Sequence, residues 1–317
     1  MGGAGELAVD PASLAACALN TPCSMTPVAA NGGPSNVTAL AAGSSHSMAL
    51  TSDGRVWTWG ANYFGELGNF GTCLLPSTHC FNATPQTVTI PSSSLAIGIA
   101  AGTNYSLALL QDGSVWAWGA NYWGQLGNNS LQNSAVPVPV SGLGPGSGVI
   151  AIAAGRLHGL ALKSDGTVWA WGNNSVGQLG VAKPALLSEV PVEVSGLGPD
   201  TAAKVTAIAA GGAHSLALKS DGTVWAWGSN VFGQLGQGAT SAITASNTPV
   251  LVMDQSGNPL TGVEAIAAGD SHSLALLAPS SAARVVNGAG GVPGTVVGWG
   301  LNYQGESGNG STATSGC

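Results

Sequence analysis

Short apolar or alternating runs, separated by Gly-rich turns, recur along the whole chain. In one copy the apolar run 149–154 predicts a strand buried on both faces, and residues 160–163 predict a second strand. Asp165-Gly166 follows, and Asp-Gly between two apolar runs predicts a type I′ hairpin in which both central residues have positive φ. Residues 168–171 alternate with a period of two, which places both tryptophans on one face. Residues 190–194 predict an outer edge strand, because a proline within it cannot donate to a ladder.

The same pattern occurs five times, and the last copy is interrupted by an insertion. The repeat cores are residues 41–68, 100–127, 153–180, 209–236 and 267–308. A repeat of about 50 residues that encodes four antiparallel strands is typical of a propeller blade. We therefore predict an all-β fold, a β-propeller of four-stranded antiparallel blades with five blades. It would form a single domain over residues 26–317, preceded by an N-terminal arm over residues 1–25.

Four of the repeats contain a pair of tryptophans two residues apart. The pairs are Trp57 and Trp59, Trp116 and Trp118, Trp169 and Trp171, and Trp225 and Trp227. Each indole buries roughly 150–250 Å², and one four-stranded sheet cannot cover two of them. We therefore expect the indoles to pack between neighbouring blades.

The fifth copy ends without an outer strand of its own. A matching segment stands at the other end of the chain, just before the first inner strand: Thr26, Pro27, Val28, Ala29 and Ala30. We predict that residues 26–30 complete the last blade and close a five-bladed ring within one chain. The alternative is that they complete the ring of a neighbouring copy, since an open sheet edge is a template for pairing between chains.

The repeat resembles that of the regulator of chromosome condensation family. The resemblance rests on A-A-G-x-x-H-S-L-A-L, then D-G-x-V-W-A-W-G-x-N, then G-Q-L-G, and it extends from about residue 26 to about residue 310. It implies a β-propeller. Members usually have seven blades whereas this chain has five copies, so a fragment of a seven-bladed parent is a further alternative.

The family's known activities transfer only in part. Guanine-nucleotide exchange depends on a face loop and a basic tail, and neither is found in the sequence. The plant ultraviolet photoreceptors have a Trp after the repeat Gly, where this chain has Ser44, Thr103, Arg156, Gly212 and Asp270. Secreted bacterial members that inhibit β-lactamases bind their partner with aromatic residues on one face of the propeller.

Aromatic residues do occur in the loop that contains G-Q-L-G. The candidate protein-binding residues are Tyr63, Phe64, Tyr122, Trp123, Phe232 and Tyr303. Exposed aromatic residues with polar surroundings are typical of interfaces. The alternative is that these side chains pack underneath the loop.

Composition excludes several classes of function. Charged residues make up 7% of the chain and the net charge is −7 with seven Lys and Arg, so nucleic acid, which needs a cationic surface, is not expected as a partner. No apolar run approaches the ~18–20 residues of a membrane span. The sequence has neither a G-x-S-x-G elbow nor a phosphate loop. We therefore expect no enzymatic activity and no cofactor.

A histidine recurs at one repeat position. It is found at His46, His158, His214 and His272, and Tyr105 replaces it in the second copy. One hypothesis is a ring of ligands around a metal ion, but equivalent positions on separate blades lie too far apart for bonds of ~2.0–2.1 Å. We favour a structural role in which each His forms hydrogen bonds with neighbouring backbone.

All five cysteines lie outside the repeated motif. Short spacing favours local disulfide bonds between Cys17 and Cys23 and between Cys73 and Cys80, with Cys317 free to reach another chain. Disulfides indicate an oxidising compartment, so we expect an extracellular or cell-surface protein. The alternative is five reduced thiols.

Two functions remain open at this point. The first is a non-catalytic, structural protein of a surface or fibre that associates with copies of itself, favoured by low charge, disulfides and the terminal Cys317. The second is a recognition module for a different protein, inhibitor-like or regulator-like.

Overall fold

A computed structural model describes residues 27–69, 80–182, 185–198, 203–238, 242–278 and 294–308, together with the backbone of 15–16 and 22–23. The described residues contain strands and turns and no helix, in agreement with the all-β prediction. The N-terminal arm contributes one short antiparallel pair, β1 (Ala15–Ala16) with β2 (Pro22–Cys23).

The remaining strands form five antiparallel sheets in chain order. The first sheet consists of β3 (Val37–Ala42), β4 (His46–Thr51), β5 (Val56–Ala61) and β6 (Phe81–Thr87). The second consists of β7 (Ala96–Ala101), β8 (Tyr105–Leu110), β9 (Val115–Gly119) and β10 (Ser134–Pro139). The third consists of β11 (Val149–Ala154), β12 (His158–Lys163), β13 (Val168–Asn173) and β14 (Leu187–Glu193). The fourth consists of β15 (Val205–Ala210), β16 (His214–Lys219), β17 (Val224–Ser229) and β18 (Ala245–Leu251). The fifth consists of β19 (Val263–Ala268), β20 (His272–Leu277) and β21 (Val296–Gly300).

The chain divides into two compact units, Met1–Ile152 and Ala153–Cys317. The first unit contains the first two sheets, and the second contains the fourth and fifth sheets and nearly all of the third. In the first unit, side chains of the first two sheets share one hydrophobic core that includes Met48, Leu110 and Trp118. In the second unit, the fourth and fifth sheets share another that includes Leu216 and Leu277. Within each unit, this core therefore lies between two successive sheets, as expected for blades.

The Asp-Gly hairpins join the second and third strands, but their turn type differs from the prediction. Gly166 has a φ of 92°, whereas Asp165 is not among the residues with positive φ. The N–H of Gly166 donates to the carbonyl of Lys163, and the Asp165 carboxylate accepts hydrogen bonds from the N–H and hydroxyl of Thr167 at 2.8 and 2.7 Å. The type I′ prediction is wrong. The aspartate holds an ordinary turn through its side chain, and only the glycine after it is left-handed.

One tryptophan of each pair is much more deeply buried than the other. The second indoles of the middle repeats, Trp118, Trp171 and Trp227, are completely buried. The first indoles are partly buried, and Lys163 and Lys219 place their Nζ atoms over Trp169 and Trp225 at 4.4 and 4.7 Å from the ring centroids. The prediction of packing between sheets therefore holds for Trp118 and Trp227, whose Nε1–H groups donate to carbonyls of the preceding repeat. The first indoles remain partly exposed.

The last sheet differs from the expectation of closure within the chain. In the part of the chain that the structure describes, the fifth sheet has three strands, β19 to β21. Residues 27–30 belong to no strand, and Thr26 lies outside the described residues. The predicted closing strand is therefore not seen at residues 27–30, and its Thr26 part stays a prediction.

Candidate functional site

The predicted aromatic residues lie on one recurring loop, the connection that leaves the third strand of each sheet. Each copy begins with Asn, has two variable residues, and continues with Gly, Gln or Glu, one more residue and Gly. The copies are residues 62–68, 121–127, 174–180, 230–236 and 302–308. We call this seven-residue segment the Asn-framed loop.

The asparagine at the start of the loop holds its shape. Its side-chain oxygen accepts the N–H of the residue five positions later, at 2.8 to 3.0 Å in all five copies. The Gln or Glu side chain accepts the N–H of the second variable residue, for example Trp123 N–H to Gln125 Oε1 at 2.9 Å. The asparagines of the first four loops are buried. A fixed hydrogen-bonded frame therefore presents two exchangeable side chains.

The two variable positions face solvent. Tyr63, Tyr122 and Tyr303 are 58%, 60% and 69% exposed, and Trp123 and Phe232 are 38% and 39% exposed. The alternative that these side chains pack underneath the loop is therefore wrong for these five residues. In the third loop the same positions are Ser175 and Val176, so that loop lacks aromatic side chains.

Four of the six candidate residues lie on the two successive loops of the first unit. Phe64 and Tyr122, from neighbouring sheets, are in edge-to-face contact with ring centroids 5.9 Å apart and an interplanar angle of 89°. We call Tyr63, Phe64, Tyr122 and Trp123 the aromatic patch. Such contacts between rings favour a fixed arrangement.

Phe232 and Tyr303 lie on two successive loops of the second unit. Sequence reasoning missed two exposed aliphatic residues of the second unit: Val231 on the fourth loop, 66% exposed, and Leu186 just before β14, 71% exposed. Val231 occupies the same loop position as Tyr63 and Tyr122, so the repeat alignment contained the signal. A search restricted to aromatic residues could not find it.

Charge is distributed unevenly in the first unit. Its described residues from 27 to 152 include four charged side chains: Asp53, Arg55, Glu66 and Asp112. Three of them lie at the Asp-Gly hairpin end of their sheets, opposite the Asn-framed loops. The fourth, Glu66, is 1% exposed. Among the described residues of this unit, none around the aromatic patch therefore has an exposed charge.

Glu66 lies beneath the patch. Its Oε2 accepts the N–H of Phe64 at 2.7 Å, while Oε1 is buried and has no partner among the described residues. Burial raises the pKa of the Glu66 carboxyl, against the opposing effect of backbone N–H groups. The second, third and fourth loops have Gln at this position. Glu66 is thus a buried acid where the other loops use a neutral amide.

Replacing Glu66 with glutamine is expected to stabilise the protein at neutral pH. A raised pKa means that the folded chain binds the proton more tightly, so this contribution to stability is complete below the unfolded pKa of about 4.3 and is lost as pH rises through the folded pKa. Glutamine carries no charge at any of these pH values, so the variant does not lose stability when pH rises through the folded pKa of Glu66. Urea unfolding should show a higher midpoint for Glu66→Gln at pH 7, with the advantage disappearing near pH 4.

Glu306 provides a matched control because it occupies the same loop position. Its pKa is lowered, mainly by its own backbone N–H, and its carboxylate accepts the N–H of Gln304 at 2.9 Å. Glu306→Gln should therefore not raise the midpoint at pH 7. An increase of equal size in both variants would contradict the account of Glu66.

The repeated histidines form hydrogen bonds between sheets. His46 Nε2 lies 3.0 Å from Ser106 Oγ, and the Ser106 hydroxyl donates to the carbonyl of Glu66 at 2.8 Å. The same carbonyl accepts Trp118 Nε1–H at 2.9 Å. Because the serine proton is used on the carbonyl, His46 Nε2 must carry a proton and donate it to Ser106 Oγ. Burial lowers the pKa of His46 to about 4, so at neutral pH the ring is uncharged and its one N–H is on Nε2.

This arrangement is repeated in the second unit. His158 Nε2 lies 2.9 Å from Ser215 Oγ, and His214 Nε2 lies 3.0 Å from Ser273 Oγ. Burial lowers the pKa of His46 and His214 to about 4 and that of His158 to about 3. The structural role predicted for the histidines is supported, but their partner is a serine hydroxyl of the next sheet rather than backbone.

The A-A-G glycine beside each histidine has a steric function. A Cβ on Gly43 would lie 2.2 Å from Cε1 of His46, and the same holds for Gly155 with His158 and Gly211 with His214. Arg156 and Asp270 each follow an A-A-G glycine, and Arg156 Nη2 donates to both carboxylate oxygens of Asp270 at 2.9 Å. The glycines therefore leave room for the histidine rings, and Arg156 and Asp270 form an ion pair.

The cysteines are only partly within the described residues. Cys80 is buried and disulfide-bonded, and its carbonyl accepts the N–H of Asn62, the first residue of the first Asn-framed loop, at 2.8 Å. Cys17, Cys73 and Cys317 lie outside the described residues, and Cys23 is described in its backbone alone. The Cys17–Cys23 and Cys73–Cys80 pairings and the role of Cys317 stay predictions.

Within the described residues, no helix could cross a membrane.

Known proteins share this repeat. A family model described as RCC1-like domain matches residues 1–315. The chain is 36% identical over 241 residues to the E3 ubiquitin-protein ligase HERC2 of Homo sapiens. This alignment covers 74% of the chain and 5% of HERC2. It is 33% identical over 199 residues to the Ultraviolet-B receptor UVR8 of Arabidopsis thaliana. That alignment covers 63% of the chain and 42% of the receptor. The chain thus spans less than half the length of either relative.

One solved structure covers nearly the whole chain. Prp20p from Saccharomyces cerevisiae, described with its binding properties to Gsp1p and histones, aligns over 98% of this chain and 82% of its own, with a TM-score of 0.61 and 21% sequence identity. At this identity the likeness concerns the fold alone.

Proposed function

Because the chain belongs to the family of RCC1-like domains, which are β-propellers, we propose that it is a non-catalytic module that recognises another protein through its aromatic patch. The family resemblance and the β-propeller class inferred from the sequence are thereby confirmed. The protein-binding role is consistent with Prp20p, which binds Gsp1p and histones.

The observation that supports this proposal is the aromatic patch on its rigid frame. Interface centres are enriched in Tyr, Trp and Phe and depleted in charge, and the patch has both properties. Tyr and Trp in loops rich in Asn, Ser and Gly also make up the binding surfaces of antibodies, because these rings supply contact area at low cost in conformational entropy. The Asn-framed loop reduces that cost further, since its backbone is held before binding.

The third loop supplies a test that keeps the fold intact. Tyr122→Ser combined with Trp123→Val gives the second loop the pair that the third loop already has in the same Asn-framed context. Peptides selected from a random display library on the native protein should lose affinity for this double variant about tenfold or more, as expected for contacts at the centre of an interface.

The matched control changes the third loop itself. Ser175→Ala with Val176→Ala should leave the affinity of the selected peptides unchanged. If all selected peptides bind the Tyr122→Ser, Trp123→Val variant as tightly as the native protein, the patch is not the recognition surface.

A second candidate function, self-association, is favoured by exposed apolar side chains on the first and last sheets. Leu40 on β3 is 73% exposed, and Val296 on β21, the edge of the three-stranded sheet, is 60% exposed. The outer strands of the second, third and fourth sheets share the sequence S-x-[T/V]-P-V, in which the Ser hydroxyl donates to the carbonyl two residues later at 2.7 Å. Residues 24–28 read S-M-T-P-V.

On this second proposal, residues 24–30 of one copy add a fourth strand to β21 of another copy, as expected of an unpaired edge. Deleting residues 1–30 should convert associated protein into monomer in size-exclusion chromatography with light scattering, whereas deleting residues 1–20 should not. A full-length chain that is monomeric, with and without reductant, would exclude self-association. An unchanged melting temperature after deletion of residues 1–30 would exclude a strand role for the segment altogether.

We further propose an extracellular or cell-surface location. The disulfide at Cys80 supports it, because disulfides persist in oxidising compartments. Alkylation in denaturant and without reduction should leave Cys80 unmodified, because the disulfide blocks its thiol even when the chain is unfolded. Labelling of Cys80 in protein quenched directly from its source would contradict this location.

A further inference from the structure

The hydrogen-bonding groups around the aromatic patch have a consistent direction. The side-chain oxygens of the frame already accept backbone N–H groups: Asn121 from Leu126 at 2.9 Å, Gln125 from Trp123 at 2.9 Å, and Asn133 from Asn121 at 2.8 Å. Each of these three side-chain oxygens is therefore already used once within the protein.

Two donors of the patch, the Tyr122 hydroxyl and the Trp123 indole N–H, are available to a partner. Asn133 Nδ2 donates to the hydroxyl of Tyr122 at 3.1 Å, so the proton of that hydroxyl is left to donate outward. Trp123 is 38% exposed, and its indole Nε1–H is a donor only. No hydrogen bond of this N–H occurs within the part of the chain that the structure describes. The patch thus combines exposed aromatic rings with outward donors.

From this arrangement, and on the premise of the proposed function, we infer that the aromatic patch binds an uncharged, proline-rich segment in the polyproline II conformation. Proline has a carbonyl acceptor and no N–H, and a polyproline II strand has no internal hydrogen bonds, so it offers acceptors alone. Those acceptors match the Tyr122 hydroxyl and the Trp123 indole. Pyrrolidine rings pack on aromatic faces, which is how aromatic surfaces recognise such segments.

Two further features of the patch favour this partner. Among the described residues of the first unit, none with an exposed charge lies near the patch, so a charged partner side chain would lose hydration without compensation. A polyproline II segment is also ordered before it binds, as is the Asn-framed loop, so little conformational entropy is lost on either side. An ordinary flexible peptide has neither the acceptor-only backbone nor this order.

The test uses the full chain and an octaproline peptide with acetylated and amidated ends. We expect a dissociation constant below about 1 mM by isothermal titration calorimetry, and a shift of the Trp123 indole N–H resonance in NMR spectra. A capped Gly-Ser peptide of the same length should bind at least tenfold more weakly. No shift of the Trp123 resonance at 1 mM octaproline, or equal binding of the two peptides, would overturn the inference.

Two conservative variants separate ring packing from hydrogen bonding. Tyr122→Phe and Trp123→Phe keep an aromatic ring and remove one donor each, so each should weaken octaproline binding about two- to tenfold, as expected for loss of one hydrogen bond. Unchanged affinity in both variants would overturn the donor argument. Circular dichroism and melting of both variants should match the native protein.

The inference and the proposed function fail in different ways. If the display library yields peptides that depend on Tyr122 and Trp123 but contain no proline, the recognition surface stands and the inference of a proline-rich partner is overturned. If no selected peptide depends on the patch, both are overturned.

Discussion

Lowering the pH from 7 to about 5 is expected to unfold this protein or bring it to the edge of unfolding. His46, His158 and His214 are buried and neutral, with pKa values lowered to about 4, 3 and 4. In the unfolded chain a histidine has a pKa near 6.5, so the unfolded chain takes up protons first as pH falls. Stability contributed by a histidine with a depressed pKa is complete above about pH 6.5 and is lost progressively down to the folded pKa.

The size of this effect follows from proton linkage. Each proton taken up only by the unfolded chain costs about 1.4 kcal/mol per pH unit, hence roughly 2 kcal/mol per histidine at pH 5 and about 6 kcal/mol for three. A domain is stable by about 5–15 kcal/mol, so this loss is decisive. The buried Glu66 acts in the opposite direction, but it is one group against three. The hairpin aspartates have lowered pKa values and lose their contribution at lower pH.

Urea unfolding from pH 7.5 to 5 measures the acid effect. The free energy of unfolding should fall with a slope that approaches three protons below pH 6.5. His214→Gln should reduce that slope by about a third, whatever it does to stability at pH 7.5. A slope unchanged in His214→Gln, or stability constant down to pH 5, would show that the histidines are not buried as neutral groups.

Replacing Trp227 with alanine is expected to cost about 3–5 kcal/mol of folding stability. Trp227 is completely buried, and its Nε1–H donates to the carbonyl of Gln178 at 2.9 Å, the same carbonyl that accepts the Ser215 hydroxyl at 3.0 Å. The substitution removes a large apolar volume between sheets and one arm of this hydrogen-bond junction. Since about 1 kcal/mol shifts the melting temperature of a large domain by about 2–4 °C, a fall of about 6–20 °C is expected.

The neighbouring Trp225 is a control within the same pair. It is only partly buried, Lys219 lies over its ring, and its Nε1 has no hydrogen-bond partner in the described part of the chain. Trp225→Ala should therefore cost clearly less than Trp227→Ala, and Trp227→Phe should fall between them. Equal losses for the two alanine variants would mean that the two positions of the pair are not distinguished by packing between sheets.

Much of the fold could be predicted because its signals are local. Alternation in residues 168–171 and the Asp-Gly pair at 165–166 each act over a few residues, and both gave strands and a hairpin that the structure contains. The turn type was wrong because Asp-Gly suits both a type I′ turn and a turn with one left-handed glycine. The choice depends on the Asp165 side-chain hydrogen bonds, which the dipeptide alone does not specify.

The hydrogen-bond partners of the histidines could not be predicted from short stretches of sequence. His46 and Ser106 are 60 positions apart, and only the packing of one sheet on the next makes them neighbours. The sequence does contain a trace of this pairing. His46, His158 and His214 are each followed one repeat later by Ser106, Ser215 and Ser273, whereas the copy with Tyr105 is followed by Gly159. A comparison of successive repeats, rather than of equivalent positions alone, would have found it.

The sequence by itself therefore determined the repeat, its strands and the positions of its aromatic residues, because period-two alternation and turn chemistry are properties of a short stretch of chain. Tertiary structure alone decided which indole of a pair is buried, that Glu66 lies under Phe64, and that Tyr122 and Trp123 face solvent. It also left residues 27–30 outside every sheet. These outcomes depend on how separate sheets pack and on which hydrogen-bond partners burial leaves available, and both are set by residues distant in the sequence.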